Sequence, residues 1–153
     1  VAEGPVVVIG VGNPDRGDDG VGPVVAGMVA EACAPGVTAV ADRGDPAVLM
    51  DRWDGASLAV LVDAMVSGCP PGAVERFDAT VVPLPASMRL ASTHSVGAGE
   101  AVELARALGR LPDRLVVYGI EAVSFAPGAQ LTGEVADGAR LAAGMVCEEV
   151  AGA

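Results

Sequence analysis

Apolar residues along this chain switch repeatedly between a strand-like and a helix-like spacing. Residues 5–9 form a short β-branched run closed by Gly10, which suits a strand buried on both faces. From Gly20 the spacing becomes helical, with Val21, Val24, Val25, Met28, Val29 and Ala32 on one face. Pro23 falls in the first turn, where it is tolerated, and Pro35-Gly36 ends the element. A second strand is expected over 37–41 and a short helix over 46–53, stopped by Asp54-Gly55. A third apolar run, 58–62, ends at Asp63. Gly68-Cys69-Pro70-Pro71-Gly72 reads as a turn, and 73–77 alternates as a half-buried strand does.

Residues 78–90, with Pro83 and Pro85, are expected to be irregular. A helix follows with Ala101, Leu104, Ala105 and Leu108 at core spacing and Gly109 as its stop. Residues 115–120 are a further strand. The last helix, 132–150, is expected to bury Val135, Ala139, Ala142, Met145 and Val146. There is no internal repeat, low-complexity tract or linker in this pattern. Strand–helix alternation of this kind predicts one α/β domain over residues 1–153, a three-layer α/β/α sandwich with a twisted, mainly parallel sheet of about five strands.

Composition sharpens the picture. Of 153 residues, 52% are hydrophobic and only 3% aromatic, so the core must be built from Val, Ala, Leu and Met. Lysine is absent, and nine arginines face twenty acidic residues for a net charge of −11. Such a surface cannot supply the counterion release that nucleic-acid binding depends on, and an anionic membrane repels it. No basic-then-apolar leader precedes the first strand, and no uncharged apolar stretch reaches the roughly 18 residues of a spanning helix. Cys33, Cys69 and Cys147 form no CxxC pair and are expected as free, mostly buried thiols, which points to a reducing, cytoplasmic setting.

Sites on doubly wound sheets lie beyond the carboxyl ends of the strands. Three features are expected there: the loop Gly10-Val11-Gly12-Asn13-Pro14-Asp15-Arg16-Gly17-Asp18-Asp19-Gly20, then Asp63, then His94, the only histidine. The loop is a poor dinucleotide fingerprint. Asp15 stands where the third glycine belongs, and Asp15, Asp18 and Asp19 would crowd a pyrophosphate with like charge. Taken singly, each feature has a plain structural reading: a solvated turn, a strand-end carboxylate capping an amide, a structural histidine. Together they form a set of two oxygen ligands and one nitrogen ligand with open positions, which suits a catalytic or transiently held divalent metal better than a tight structural zinc.

These residues resemble a known family. Val8-Ile9-Gly10-Val11-Gly12-Asn13 followed by Asp18-Asp19-Gly20-Val21-Gly22 is similar to the opening of the [NiFe]-hydrogenase maturation endopeptidases. Val62-Asp63-Ala64 matches that family's second acidic position and Ser92-Thr93-His94 its histidine position. Tyr118-Gly119-Ile120-Glu121 and Leu131-Thr132-Gly133-Glu134-Val135 also look like family features, in the same order along nearly the whole chain. The resemblance implies a protease that removes a short C-terminal peptide from the precursor of a hydrogenase large subunit after nickel insertion. It implies Asp19, Asp63 and His94 as metal-contacting and catalytic positions, with the nickel supplied by the substrate and no cofactor of the protein's own.

The chemistry of the residues fits that role. Carboxylates and a neutral imidazole can touch a metal already held by thiolates and then release it. Hydrolysis could then proceed by polarisation of the scissile carbonyl or by a carboxylate acting as general base, and the sequence leaves both open. One departure stands out. The family's Asp-x-Gly-Thr loop reads Asp42-Arg43-Gly44-Asp45-Pro46 here, so a carboxylate replaces the threonine. Asp45 is expected to cap the helix beginning at Pro46 in preference to altering which precursor is accepted.

Two rival readings differ in class. Gly10-Val11-Gly12-Asn13-Pro14 also resembles the start of peptidyl-tRNA hydrolases, but those need a histidine soon after the loop and a basic surface, and this chain has neither. A non-catalytic module that recognises a metal-loaded partner would leave that partner uncut.

Overall fold

A computed structural model describes residues 4–33, 35–89 and 97–153. Five strands form one sheet in the order β2-β1-β3-β5-β4: β1 Val6–Val11, β2 Val37–Asp42, β3 Leu58–Met65, β4 Val74–Asp78 and β5 Leu115–Glu121. The first four in that order are mutually parallel, and β4 runs antiparallel along the outer edge of β5. Every residue of β1, β3 and β5 is buried, as continuous apolar runs between two helical layers should be. The edge strands β2 and β4 keep only partial burial.

Among the described residues the helices are α1 Val21–Ala32, α2 Pro46–Trp53, α3 Ala86–Arg89, α4 Ala98–Ala107 and α5 Gly133–Ala151. Two separate cores define the layers. Val7, Ile9 and Val11 point with Leu61 and Met65 toward α2, α3 and α4, meeting Leu49, Trp53, Met88 and Val102. Val6, Val8, Val60 and Val62 point to the opposite face, meeting Val25 and Val29 of α1 and Val135 and Val146 of α5. The expected three-layer sandwich is therefore present, with a five-stranded, mainly parallel sheet.

The short helix at 46–53 has the expected bounds because its signals are local. Asp45 accepts a hydrogen bond from the Ala47 N–H through Oδ1 (2.9 Å), and Pro46 occupies the first helical position. The carboxylate at the departed threonine position is thus an N-cap. Asp45→Ala should lower unfolding stability by about 1 kcal/mol, read by urea denaturation; an unchanged midpoint would contradict the capping role.

Two helices present different faces from those expected. In α1, Gly22 and Ala26 are buried beside Val21, Val25 and Val29, whereas Val24 and Ala32 are exposed. In α4, Ala98, Ala101, Val102 and Ala105 are buried, whereas Leu104 and Leu108 face solvent. In α1 the close approach of Gly22 to the backbone of Val11 and Val62 turns Val24 outward, while Val21, Val25 and Val29 stay buried. Met145 is only half-buried for its part, at the edge of the α5 face. The expected irregular stretch contains the short α3, whose Met88 packs with Met65 over Gly119.

Candidate active site

The chain leaves β1 toward β2 with α1 on one face of the sheet, then returns to β3 on the other side of β1 with α2 on the opposite face. On a doubly wound sheet, such a reversal is where a binding crevice is expected, beyond the carboxyl ends of β1 and β3. Gly10 pairs in register with Val62, so the glycine loop and Asp63 leave the sheet side by side. Asp63 lies inside β3, two residues before its end, rather than just after the strand. Strand alternation points it to the α4 face, together with Leu61 and Met65.

Asp63 is 4% exposed. Its Oδ2 accepts the N–H of Ala98, the first residue of α4 (3.0 Å), and its Oδ1 accepts the N–H of Ala64 (2.8 Å). The plain reading of this carboxylate, an amide cap, is therefore part of what it does: it anchors the start of α4. Asp19 is 7% exposed and its Oδ2 accepts the Asn13 N–H (2.9 Å). No described residue donates to its Oδ1. Gly12 allows this turn to close: its φ of +148° suits glycine, and a Cβ there would lie 1.9 Å from the Asp19 carbonyl oxygen.

The two carboxylates feel each other. Burial pushes Asp63 up to about 7; the Ala98 N–H holds it down, the charge on Asp19 pushes it further up, and the Ala64 N–H again opposes. Burial also raises Asp19, against the Asn13 N–H and the positive charges of Arg16 and Arg43. Near neutral pH the pair therefore resists carrying two full negative charges.

A stability consequence follows. Between about pH 4 and pH 7 the folded chain keeps a proton on Asp63 that the unfolded chain has released, so stability falls as pH rises through that window. Asp78 and Glu149, both held below their ordinary values, act only at lower pH, where their stabilisation is lost. Thermal midpoints should drop between pH 5 and pH 7, and the drop should shrink in Asp63→Asn; a flat profile in the parent chain would contradict the assignment.

The remaining loop carboxylates separate by function. Asp15 is exposed, within 4.0 Å of Arg43. Asp18 is fully buried and tied to the β5–α5 connection, accepting the N–H groups of Val123 (2.9 Å), Ser124 (2.9 Å) and Thr132 (2.8 Å) and the Thr132 hydroxyl. Glu121, at the end of β5, likewise gathers the turn after β3 by accepting the N–H groups of Ser67 and Cys69 and the Ser67 hydroxyl. Both are organising residues whose partners lie far away in sequence. His94 lies outside the described residues, four positions before the Ala98 amide that Asp63 holds. Among the described residues no group of three or more His, Cys, Asp or Glu is placed to hold a metal ion. Of the three expected site residues, Asp19 and Asp63 lie near enough for the charge of Asp19 to act on Asp63.

Comparison with known proteins agrees with this architecture. A family model described as hydrogenase maturation protease matches residues 27–149, a span that contains Asp63 and His94 and begins after Asp19. The hydrogenase expression/formation protein HupD of Thiocapsa roseopersicina is 30% identical over 122 residues, covering 78% of this chain and 55% of that protein. The chain thus spans about half the length of this curated relative. An Escherichia coli endopeptidase solved in solution superposes with a TM-score of 0.78 at 23% identity, over 93% of this chain and 89% of the other. A hydrogenase 2 maturation peptidase from Thaumarchaeota archaeon SCGC_AB-539-E09 gives 0.69 at 26% identity, over 96% and 98%.

Proposed function

The chain belongs to the hydrogenase maturation protease family, and from that membership we propose that it is an endopeptidase removing a C-terminal peptide from the nickel-loaded precursor of a [NiFe]-hydrogenase large subunit. What supports the reading is that Asp19 and Asp63 are both buried carboxylates on the glycine loop and on the neighbouring strand β3, with the charge of Asp19 acting on Asp63. The nickel is part of the substrate. Asp19, Asp63 and His94 contact it on docking, and the protein holds no metal of its own between turnovers. Two carboxylates and one imidazole suit such brief contact, since hard oxygen donors do not compete with the substrate's thiolates.

Contact with the metal fixes the neighbouring peptide bond against the crevice, converting recognition into orientation. A cation so placed can polarise the scissile carbonyl, while a carboxylate near neutrality is suited to take a proton from attacking water. The setting we propose is cytoplasmic. Among the described residues no helix is long and apolar enough to cross a membrane.

Incubation of the purified chain with nickel-loaded precursor, followed by intact-mass measurement, tests the activity. The expected result is a precursor shortened at its C-terminus by one discrete peptide. A stable complex with a precursor of unchanged mass would overturn the protease in favour of a non-catalytic recognition module.

A further inference from the structure

The ends of α1 and α5 remote from the crevice carry a feature outside the proposed activity. Cys33 is the C-cap of α1, its N–H donating to the Val29 carbonyl (2.9 Å), and Cys147 sits on α5 between buried Val146 and Val150. Their Sγ atoms are 3.3 Å apart, in side-chain contact across 114 positions of sequence. Both cysteines are free and half-buried, packed against the edge of the α1–α5 core. A disulfide needs its sulfurs about 2.05 Å apart, so closure asks for an approach of roughly 1 Å between two side chains that already face each other.

We propose that Cys33 and Cys147 form a redox modification site, a dithiol that low-molecular-weight disulfides oxidise to an intramolecular cross-link. One cysteine thiolate attacks the small disulfide, giving a mixed disulfide and releasing one small thiol. The second then displaces the other small thiol, leaving the Cys33–Cys147 bond. Two electrons and two protons pass from the protein to the small disulfide, which leaves as two thiols.

The position gives the bond a structural meaning. At the crevice end, the Asp18 carboxylate already ties the turn before α1 to Thr132, the N-cap of α5. The cross-link fastens the same two helices at their far ends. It would close most of the chain into one covalent loop and so restrict the unfolded ensemble strongly, while leaving the crevice untouched. Cys69 is the internal control: its Sγ faces Glu75 Oε1 (3.3 Å), in the turn gathered by Glu121.

The test equilibrates the full chain with oxidised glutathione, alkylates it under denaturing conditions, and reads intact mass, peptide map and thermal midpoint. One alkylatable thiol, a Cys33–Cys147 linked peptide and a midpoint raised on the order of 10 °C are expected. Cys69→Ser should keep the shift, and Cys33→Ser or Cys147→Ser should lose it, with the Cys→Ala variants as second versions should either serine disturb folding. Three alkylatable thiols, persistent glutathione adducts, or disulfides only between chains would overturn the proposal.

Discussion

Replacing Asp19 by asparagine is expected to abolish precursor cleavage, with a loss in kcat/KM of at least about 100-fold, while the fold survives. The amide is nearly isosteric, and its oxygen can still accept the Asn13 N–H that now meets Oδ2 at 2.9 Å. What disappears is one negative charge at the crevice. Because that charge helps hold Asp63 up at about 7, the substitution should also shift the Asp63 titration downward, visible by carboxyl carbon NMR. The two readouts come from one physical cause. A variant cleaving within a few-fold of the parent would remove Asp19 from the site, and an unmoved Asp63 titration would uncouple the pair.

Gly22→Ala carries a large expected effect on the fold. A Cβ at Gly22 would lie 2.4 Å from the Val11 carbonyl oxygen, 2.5 Å from that of Val62 and 2.7 Å from the Val11 nitrogen. All three atoms are backbone of β1 and β3, so no side chain can swing away, and relief requires α1 to lift from the strands that frame the crevice. We expect a loss of about 3–5 kcal/mol by urea denaturation, at the upper end for a single methyl group in a packed interior. Gly27 on the same helix has nothing within 4 Å of a built Cβ. There alanine should be neutral or stabilise by up to about 1 kcal/mol through helix propensity. Equal effects at the two positions would contradict the close seating of α1.

Which features could be read from the amino-acid order depends on how far each signal reaches. The helix Pro46–Trp53 was legible because its cap, first-turn proline and stop are neighbours in the chain. The central strands were legible because full burial on two faces leaves unbroken apolar runs. The faces of α1 and α4 were legible in part, with Val21, Val25, Val29, Ala101 and Ala105 buried as expected, whereas a spacing rule weighted by apolar size wrongly favours Val24, Leu104 and Leu108 over Gly22, Ala26 and Ala98. Close packing rewards the small residues instead.

The site divides along the same line. The glycine loop follows the end of β1 and Asp63 lies two residues short of the end of β3, near where chemistry is expected on this fold, and the parallel pairing of β1 with β3 sets them side by side. The burial of Asp18 and Glu121 was not legible. Asp18 holds Val123, Ser124 and Thr132 from more than a hundred positions away, and Glu121 holds Ser67 and Cys69 across 54 and 52. The contact of Cys33 with Cys147 has the same character, since only the packing of α1 beside α5 makes them neighbours. Local patterns report caps and periods; the partners of a buried carboxylate or thiol emerge with the tertiary fold.

In the function we propose, two repelling carboxylates, Asp19 and Asp63, recognise a metal borne by the substrate. Nickel-loaded and nickel-free forms of the same large-subunit precursor, incubated side by side with the purified chain and weighed intact, test it most directly. The account predicts loss of the C-terminal peptide from the loaded form alone, and no loss from either form with Asp19→Asn. Equal shortening of the nickel-free precursor would contradict it.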